Sequence, residues 1–241
     1  MDYKIVIPSK NRVKDFNNMT YEKVILKYDL NLKNVYVFVP KDNEKEYKEN
    51  FDKINIIVAP DGFMNTVKYI HKFFKDKEKF LYMNDDITKI LKLQNDKLVE
   101  VSNFKLLIND VFKTMIKEKM GLAGFYPVAN AMFMSKAQPI TKDLRFIFDA
   151  LHFQINYKSI ELSIASKLDF ETTIKYYEKD GGVLRFNKYT YATRYATGRV
   201  ANINESKDTK DFIKKYDKYI SKTIKHKNGT TSFIFKKNIS N

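Results

Sequence analysis

The chain has 241 residues, 44 Lys+Arg against 29 Asp+Glu for a net charge of +15, and neither cysteine nor tryptophan. At 44% hydrophobic and 15% aromatic it can bury a substantial core, which excludes general disorder, and its length suits one large α/β domain. The lack of cysteine removes disulfide frameworks, thiolate zinc sites and cysteine nucleophiles together. No apolar run approaches the ~18 residues that span a bilayer. Met1–Lys4 leads into a strand-like run and not a signal peptide, so a cytoplasmic or nuclear, non-secreted protein is expected.

The first third alternates strand-like and helical runs. Tyr3–Pro8, Asn34–Pro40 and Ile54–Pro60 read as strands that each stop at a proline. A helix is expected over about 12–28 and a polar helix around Glu44, Tyr47 and Phe51. Continuous apolar runs between helices predict a buried, mostly parallel sheet of βαβ units. Three proline-ended strands place three loops at carboxyl ends, the edge where open α/β sheets bind ligands. A helix follows over Gly62–Phe74, with Phe63, Val67, Ile70 and Phe74 on one face. A fourth strand, Lys79–Met83, then runs directly into Asn84-Asp85-Asp86.

Beyond it, Ile87–Leu93 and Lys97–Val101 read as a hairpin around Gln94-Asn95-Asp96, and Phe104–Lys119 as an amphipathic helix. Gly121–Met134 is small, apolar and aromatic; its Gly121, Gly124 and Asn130 suit either a sugar pocket or a tight core crossing. Lys207–Lys225 reads as a lysine-rich terminal helix and Ser232–Phe235 as a final edge strand. No repeat or linker divides the chain. The expected organisation is one domain with a first half (about 1–101), a second half (about 102–204) and a basic extension (about 205–241).

The charge invites a polyanionic partner, but nearly all of it is diffuse lysine. Arginine, the better phosphate fork, occurs at 12, 145, 185, 194 and 199 only. Carboxylates after an apolar strand suit Mg²⁺ or Mn²⁺, which take oxygen ligands and keep phosphate oxygens and waters; the ordinary alternative is that Asp85 and Asp86 cap the next segment. Pro8, Ser9 and Arg12 can offer a hydroxyl and a guanidinium to a nucleotide. After the third strand, Asp61 can bond a base or ribose, while Asn65 and Lys68 reach phosphate. Glu161 and Asp149 are the candidate general bases, Asp149 preferred because its apolar setting, Phe146-Ile147-Phe148-Asp149-Ala150, raises a carboxyl pKa. Of the histidines, His71 reads as surface, His152 lies near Asp149, and His226 falls in the basic tail.

This ordered set resembles the GT-A class of nucleotide-sugar glycosyltransferases, most clearly over residues 1–101. The resemblance implies a Rossmann-like α/β fold whose first βα loops bind the nucleotide, and a D-x-D-type metal motif after the fourth strand. It also implies nucleotide-sugar binding for the first half and acceptor binding for the second. Here that motif is Asn84-Asp85-Asp86, so Asn84 and Asp86 are the implied metal positions and Asp85 faces the sugar or ribose. Within the class, the Ile7-Pro8-Ser9-x-x-Arg12 start and the Asn84–Lys89 run are similar to the TET/JBP-associated glycosyltransferases. That implies Mn²⁺ or Mg²⁺, a UDP-sugar donor (UDP-glucose first) and a hydroxymethylated pyrimidine in DNA as acceptor. Arg185, Arg194 and Arg199 then suit phosphates, and Tyr189, Tyr191 and Tyr195 an extruded base, unless those tyrosines pack in the core. The class often opens a second-half helix with an acidic pair. The stretch compared with it, Tyr157–Ala165, has Lys158 and Ser159 at those positions. Two alternatives stand beside this reading: a glycan, lipid or protein acceptor, and a non-catalytic nucleic-acid-binding module.

Overall fold

The computed structural model describes residues 1–194, 205–227 and 229–236. The first βαβ units form where expected: β1 (Lys4–Pro8), α1 (Val13–Phe16) continuing as a wide π-type helix over Asn17–Leu26, β2 (Val35–Val39), α2 (Glu44–Asn50), β3 (Asn55–Val58), α3 (Phe63–Phe73) and β4 (Lys79–Met83). β4 shows why its run is continuously apolar. Leu81 and Met83 pack on one face with Ile5, Ile7 and Val37, and Phe80 and Tyr82 pack on the other with Ile70 and Phe74. Both faces are covered by helices, so no position is left for a polar alternation.

There follow β5 (Ile87–Gln94), β6 (Lys97–Glu100), α4 (Phe104–Glu118), β7 (Leu122–Phe125), the short α5 (Ala131–Ser135), β8 (Ile140–Asp143), β9 (Leu151–Ile155), α6 (Leu168–Asp180), β10 (Val183–Phe186) and β11 (Tyr189–Thr193). α4 buries Phe104, Leu107, Ile108, Val111, Phe112 and Met115, the 3.6-residue stripe that its sequence announces. Asn103 caps it by accepting from the Leu106 amide at 2.9 Å. Among the described residues the main sheet has eight strands in the order β3-β2-β1-β4-β9-β7-β10-β8. β1 pairs in parallel with β2 and β4, β2 with β3, and β7 with β10, while β8 and β9 run against their neighbours. The 87–100 hairpin forms a small second sheet, order β11-β5-β6.

The C-terminal region departs from the sequence expectation. The helix, α7 (Glu205–Tyr216), stops well before Lys225, and β12 (Ile220–Lys225) pairs with β13 (Thr231–Phe235) as a separate hairpin. β-branched Ile220, Thr223 and Ile224 favour a strand over a helix. This unit closes a second core: Phe212, Tyr216, Tyr219, Phe233 and Phe235 surround Phe170 and Ile174 of α6. No helix among the described residues is long and apolar enough to cross a membrane.

Gly124 in β7 is closely approached by a neighbouring side chain. A Cβ there would lie 2.6 Å from Cγ2 of Ile147, in the loop that leads to Asp149. Gly124→Ala is therefore expected to destabilise the protein by about 1–3 kcal/mol through overpacking, measured as a lowered urea midpoint with unchanged slope.

Candidate active site

Strand order reverses between β1 and β4: β2 and β3 lie to one side of β1 and the rest of the sheet to the other. A crevice at such a switch point is where open α/β sheets bind ligands. The loops after β1 and β4 meet there. Asp85 and Asp86 are 4% and 7% exposed. Arg12 Nη1 lies 2.8 Å from Asp85 Oδ1, and its Nη2 lies 3.6 Å from Asp86 Oδ2. Asp85 Oδ2 accepts from Ser9 Oγ at 2.5 Å, and that hydroxyl is also 2.6 Å from Tyr47 OH. Thr20 Oγ1 donates to the Asn84 carbonyl and accepts from the Ile87 amide, both at 2.8 Å, which fixes the turn.

Burial pushes the Asp85 carboxyl up to about 6, opposed by the Ser9 hydrogen bond and Arg12. Asp86 is raised for the same first reason and again opposed by Arg12. Burial works against the charge of Arg12, but Asp85, Asp86 and Asp15 outweigh it and raise its pKa. Asp86 Oδ1 is buried and has no hydrogen-bond partner. A lone acceptor of this kind suits a hard cation that takes its remaining ligands from phosphate and water. Among the described residues no group of three or more His, Asp or Glu converges as a complete metal cage. The donor set therefore fits a metal shared with a bound diphosphate.

Beside this cluster a cleft of about 530 Å³ opens between the loops after β1, β2 and β3, lined by Lys10, Asn11, Asn43, Pro60, Asp61 and Tyr69 among others. Its volume is in the range of small-molecule sites. Asn11 has a left-handed backbone (φ 56°), and its amide is held by Asn43 Oδ1 at 3.0 Å while Asn43 Nδ2 donates to Asn11 Oδ1 at 2.6 Å. Lys10 Nζ bridges to both oxygens of Asp61, at 2.7 and 2.9 Å. Pro8 ends β1 beneath the cleft, and Ser9 is turned inward to Asp85. Asn65 Nδ2 donates to the Asp61 carbonyl at 2.9 Å, while Lys68 is exposed on α3.

The second acidic centre lies at the same edge. β9 pairs with β4 so that the Asn84 amide donates to the Ala150 carbonyl at 2.8 Å, which places Asp149 next to the Asn84–Asp86 turn. Asp149 lines a small interior cavity together with His71, Tyr82, His152, Gln154 and Asp169. Asp169, in the first turn of α6, escaped the sequence reading, which sought the acid-opened helix near 158. Glu161 is exposed on the preceding loop and lies outside this cavity. Burial raises Asp149 to about 6. Asp169 is raised well above the usual range, first by burial and then by the charge of Asp149. The charge of Asp149 thus adds to burial in favouring the protonated form of Asp169.

His71 is turned inward, contrary to its surface expectation. Gln154 lies between the two histidines, its Nε2 3.3 Å from His71 Nε2 and its Oε1 3.2 Å from His152 Nε2. Burial lowers both imidazoles to about 4, so both are neutral. His152 stacks on Tyr82 at 4.7 Å. His226 bonds Ser232 in the C-terminal hairpin, away from the acids. Tyr82 OH, Tyr191 OH, Asp86 Oδ1 and His152 Nδ1 are all buried without a partner. Buried unsatisfied groups of this kind call for a partner such as ordered water, an ion or a polar ligand.

Of the described residues expected to meet nucleic acid, one is buried, two are half-buried and one is exposed. Tyr191 is 6% exposed, and Tyr189 packs on Phe125 at 5.6 Å. Arg185 lies 5.1 Å from the Tyr126 ring and bonds Asn187 at 2.7 Å. Arg194 is on the surface, 3.2 Å from Asp15. Tyr195 and Arg199 lie outside the described residues.

A carboxyl whose folded pKa is raised binds its proton more tightly in the folded than in the unfolded chain. Stability consequently falls as pH rises from the unfolded value of ~3.9 through the folded value, about 6 for Asp149. Asp149→Asn is expected to raise the melting temperature at pH 8 and to leave it nearly unchanged below pH 4; thermal melts across that range check it.

No protein-family model and no curated protein sequence matches the chain. In three dimensions it is similar to glucosyl-3-phosphoglycerate synthase from Mycobacterium tuberculosis bound to phosphoglyceric acid (TM-score 0.54, 10% identity, 92% of this chain and 83% of that one). It is also similar to S. aureus TarS 1–349 in complex with UDP-GlcNAc (TM-score 0.53, 14% identity, 83% of this chain). The chain spans only 62% of the length of that TarS structure. The mixed α/β architecture, with its mostly parallel central sheet flanked by helices, is that of the GT-A glycosyltransferases.

Proposed function

We propose that the chain is a nucleotide-sugar glycosyltransferase that moves a sugar, glucose first, from a UDP-sugar to a hydroxymethylated pyrimidine in DNA. The observation that carries the transferase reading is the order of parts along one sheet edge. The open cleft of about 530 Å³ comes first, then the Arg12–Asp85–Asp86 cluster, then the Asp149–Asp169 pair. The fold it shares with a protein captured holding UDP-GlcNAc supports the donor class. The cleft takes the nucleoside, with Asp61 able to accept from a base N–H. Arg12 can leave its carboxylates to meet the diphosphate, and Asp86, with Asn84 beside it, would hold Mn²⁺ or Mg²⁺. When bound, that metal supplies charge neutralisation on the departing nucleoside diphosphate.

Transfer forms a bond from the acceptor hydroxyl oxygen to the anomeric carbon and breaks the bond from that carbon to the phosphate oxygen. The departing UDP keeps the electron pair of that bond. The acceptor proton passes to the Asp149–Asp169 pair, whose raised pKa makes it an effective base near neutrality. Net charge of +15 is compatible with a polyanionic acceptor, although diffuse lysine supplies nearly all of it.

One observation favours the alternative of a glycan, lipid or protein acceptor. The acceptor end of the edge exposes Val128, Met132, Phe133, Ile140 and Phe148. The arginines there are already engaged, Arg145 with Asp143 at 2.8 Å and Arg185 with Asn187.

The deciding experiment incubates the protein with Mn²⁺, labelled UDP-glucose, and hydroxymethylated or plain DNA. Label retained only on hydroxymethylated DNA supports the reading, and UDP release without labelled DNA points to another acceptor. Salt-sensitive DNA binding with no UDP-sugar binding leaves only the binding module. Asp86→Ala is expected to abolish turnover with the fold intact by circular dichroism. Asp169→Asn is expected to lower kcat by about 10²–10⁴-fold while UDP-glucose still binds in calorimetry.

A further inference from the structure

The residue two before Asp169 is a buried lysine. Lys167 is 2% exposed; its ammonium is held by Glu205 of α7 and donates to the Thr231 carbonyl of β13 at 2.8 Å, with the Phe233 ring 5.8 Å away. A buried ammonium costs several kcal/mol unless it is paired, so this position tolerates lysine only with α7 and β13 in place. The residue two after Asp169 is a buried glutamate with five donors. Glu171 is fully buried and accepts from the Ser163 amide at 2.6 Å, Ser163 Oγ at 2.8 Å and the Ile164 amide at 2.9 Å. Lys215 Nζ and Tyr216 OH of α7, both at 2.9 Å, complete the set. Burial alone would raise this carboxyl, but these donors together hold it below its usual range.

Two further ties reach the same turn. The Ser166 amide donates to Asp208 Oδ2 at 2.8 Å. Phe170 meets Phe233, Phe235 and Phe212 at 5.3, 5.8 and 6.0 Å and stacks on Phe146 at 4.3 Å. Phe146 begins the segment that ends at Asp149, and the next amide, Ile147, donates to Thr173 Oγ1 of α6 at 3.1 Å. Residues 166, 167, 170 and 171 are thus each fixed by contacts with the C-terminal unit, while Asp169 between them faces the cavity.

Resting on the reading of Asp149 and Asp169 as the acceptor base, we propose that residues Glu205–Phe235 form a positioning unit for that pair. Lys167 and Glu171 are its positioning residues. The buried ammonium sets the start of α6 against α7 and β13, and Glu171 clamps the turn from the other side. The shared aromatic core carries the same constraint to the loop that bears Asp149. Nothing in this unit reaches the donor cleft, whose lining comes wholly from residues 10–69. The unit therefore acts on proton transfer and not on donor binding.

The test compares wild type with Lys167→Met and with the milder Tyr216→Phe, which keeps the aromatic ring. UDP release from UDP-glucose, donor affinity by calorimetry, and amide hydrogen exchange are measured for each. Expected is a fall in kcat of about 10–100-fold for Lys167→Met, the scale set by misplacement of a reacting group by about an ångström. The fall is smaller for Tyr216→Phe, and UDP-glucose affinity is unchanged in both. Exchange is expected to quicken at residues 163–171 and 146–149, with β1–β4 unaffected. Equal loss of donor affinity and kcat, or faster exchange throughout the main sheet, reduces the unit to general support and overturns the proposal. So does unchanged kcat with unchanged local exchange. A wild-type protein that binds no UDP-glucose refutes the glycosyltransferase reading, and the exchange pattern still decides whether this unit holds Asp169.

Discussion

Two adjacent carboxylates at the end of a strand buried on both faces are the constraint around which the first half is built. An isolated ionised carboxylate in such a place is prohibitively costly, and the chain answers from the neighbouring strand. β1 lies beside β4 in parallel register, so the loop leaving β1 delivers Ser9 and Arg12 to Asp85 and Asp86. Tyr47 backs Ser9, and Thr20 pins the turn. Compensation stops one oxygen short, at Asp86 Oδ1. A purely structural ion pair is expected to satisfy its lone pairs, and the open oxygen is the observation on which the proposed ligand site rests.

The second half solves a different problem. Asp149 and Asp169 have no arginine of their own, and each raises the cost of ionising the other. The start of α6 is packed in a separate aromatic core built from α6, α7 and the C-terminal hairpin. The loop after β4 and the start of α6 are thereby packed on different cores. The first is a parallel sheet with ordinary βαβ crossovers, and the second is a helix clamped from both sides by buried charges.

How much of this could be read from sequence follows the same division. The first four strands were legible because each is a continuous apolar run closed by proline or by the Asn84-Asp85-Asp86 turn, and local pattern decides such elements. Asp85 and Asp86 were legible for the same reason. Asp169 was not: no strand introduces it, and its helix begins among Ser166, Lys167 and Leu168 without a capping side chain. A signal was nevertheless present, since Asp169 and Glu171 are acids in the first turn of a helix closed by Gly181 in the left-handed conformation. Tyr191 misled because its role depends on β11 pairing with β5, about a hundred residues earlier, which no local window contains. Nothing local in the sequence marks Lys167, and only the arrival of Glu205 and Thr231 makes it internal.

That last case changes how the charge of +15 is understood. Lysine in excess looks like a coat, and much of it is. Where the chain could least tolerate an uncompensated cation, however, it has buried one and built an ion pair around it. Replacing such a pair by apolar side chains is often neutral or stabilising, so its retention beside Asp169 calls for a reason other than stability. Two carboxyls with raised pKa values are held next to a fixed positive charge two residues away, and Lys167 is among the influences that draw Asp169 back toward ionisation. The same ammonium that docks the C-terminal unit thus also favours the ionised form of Asp169, against burial and the charge of Asp149.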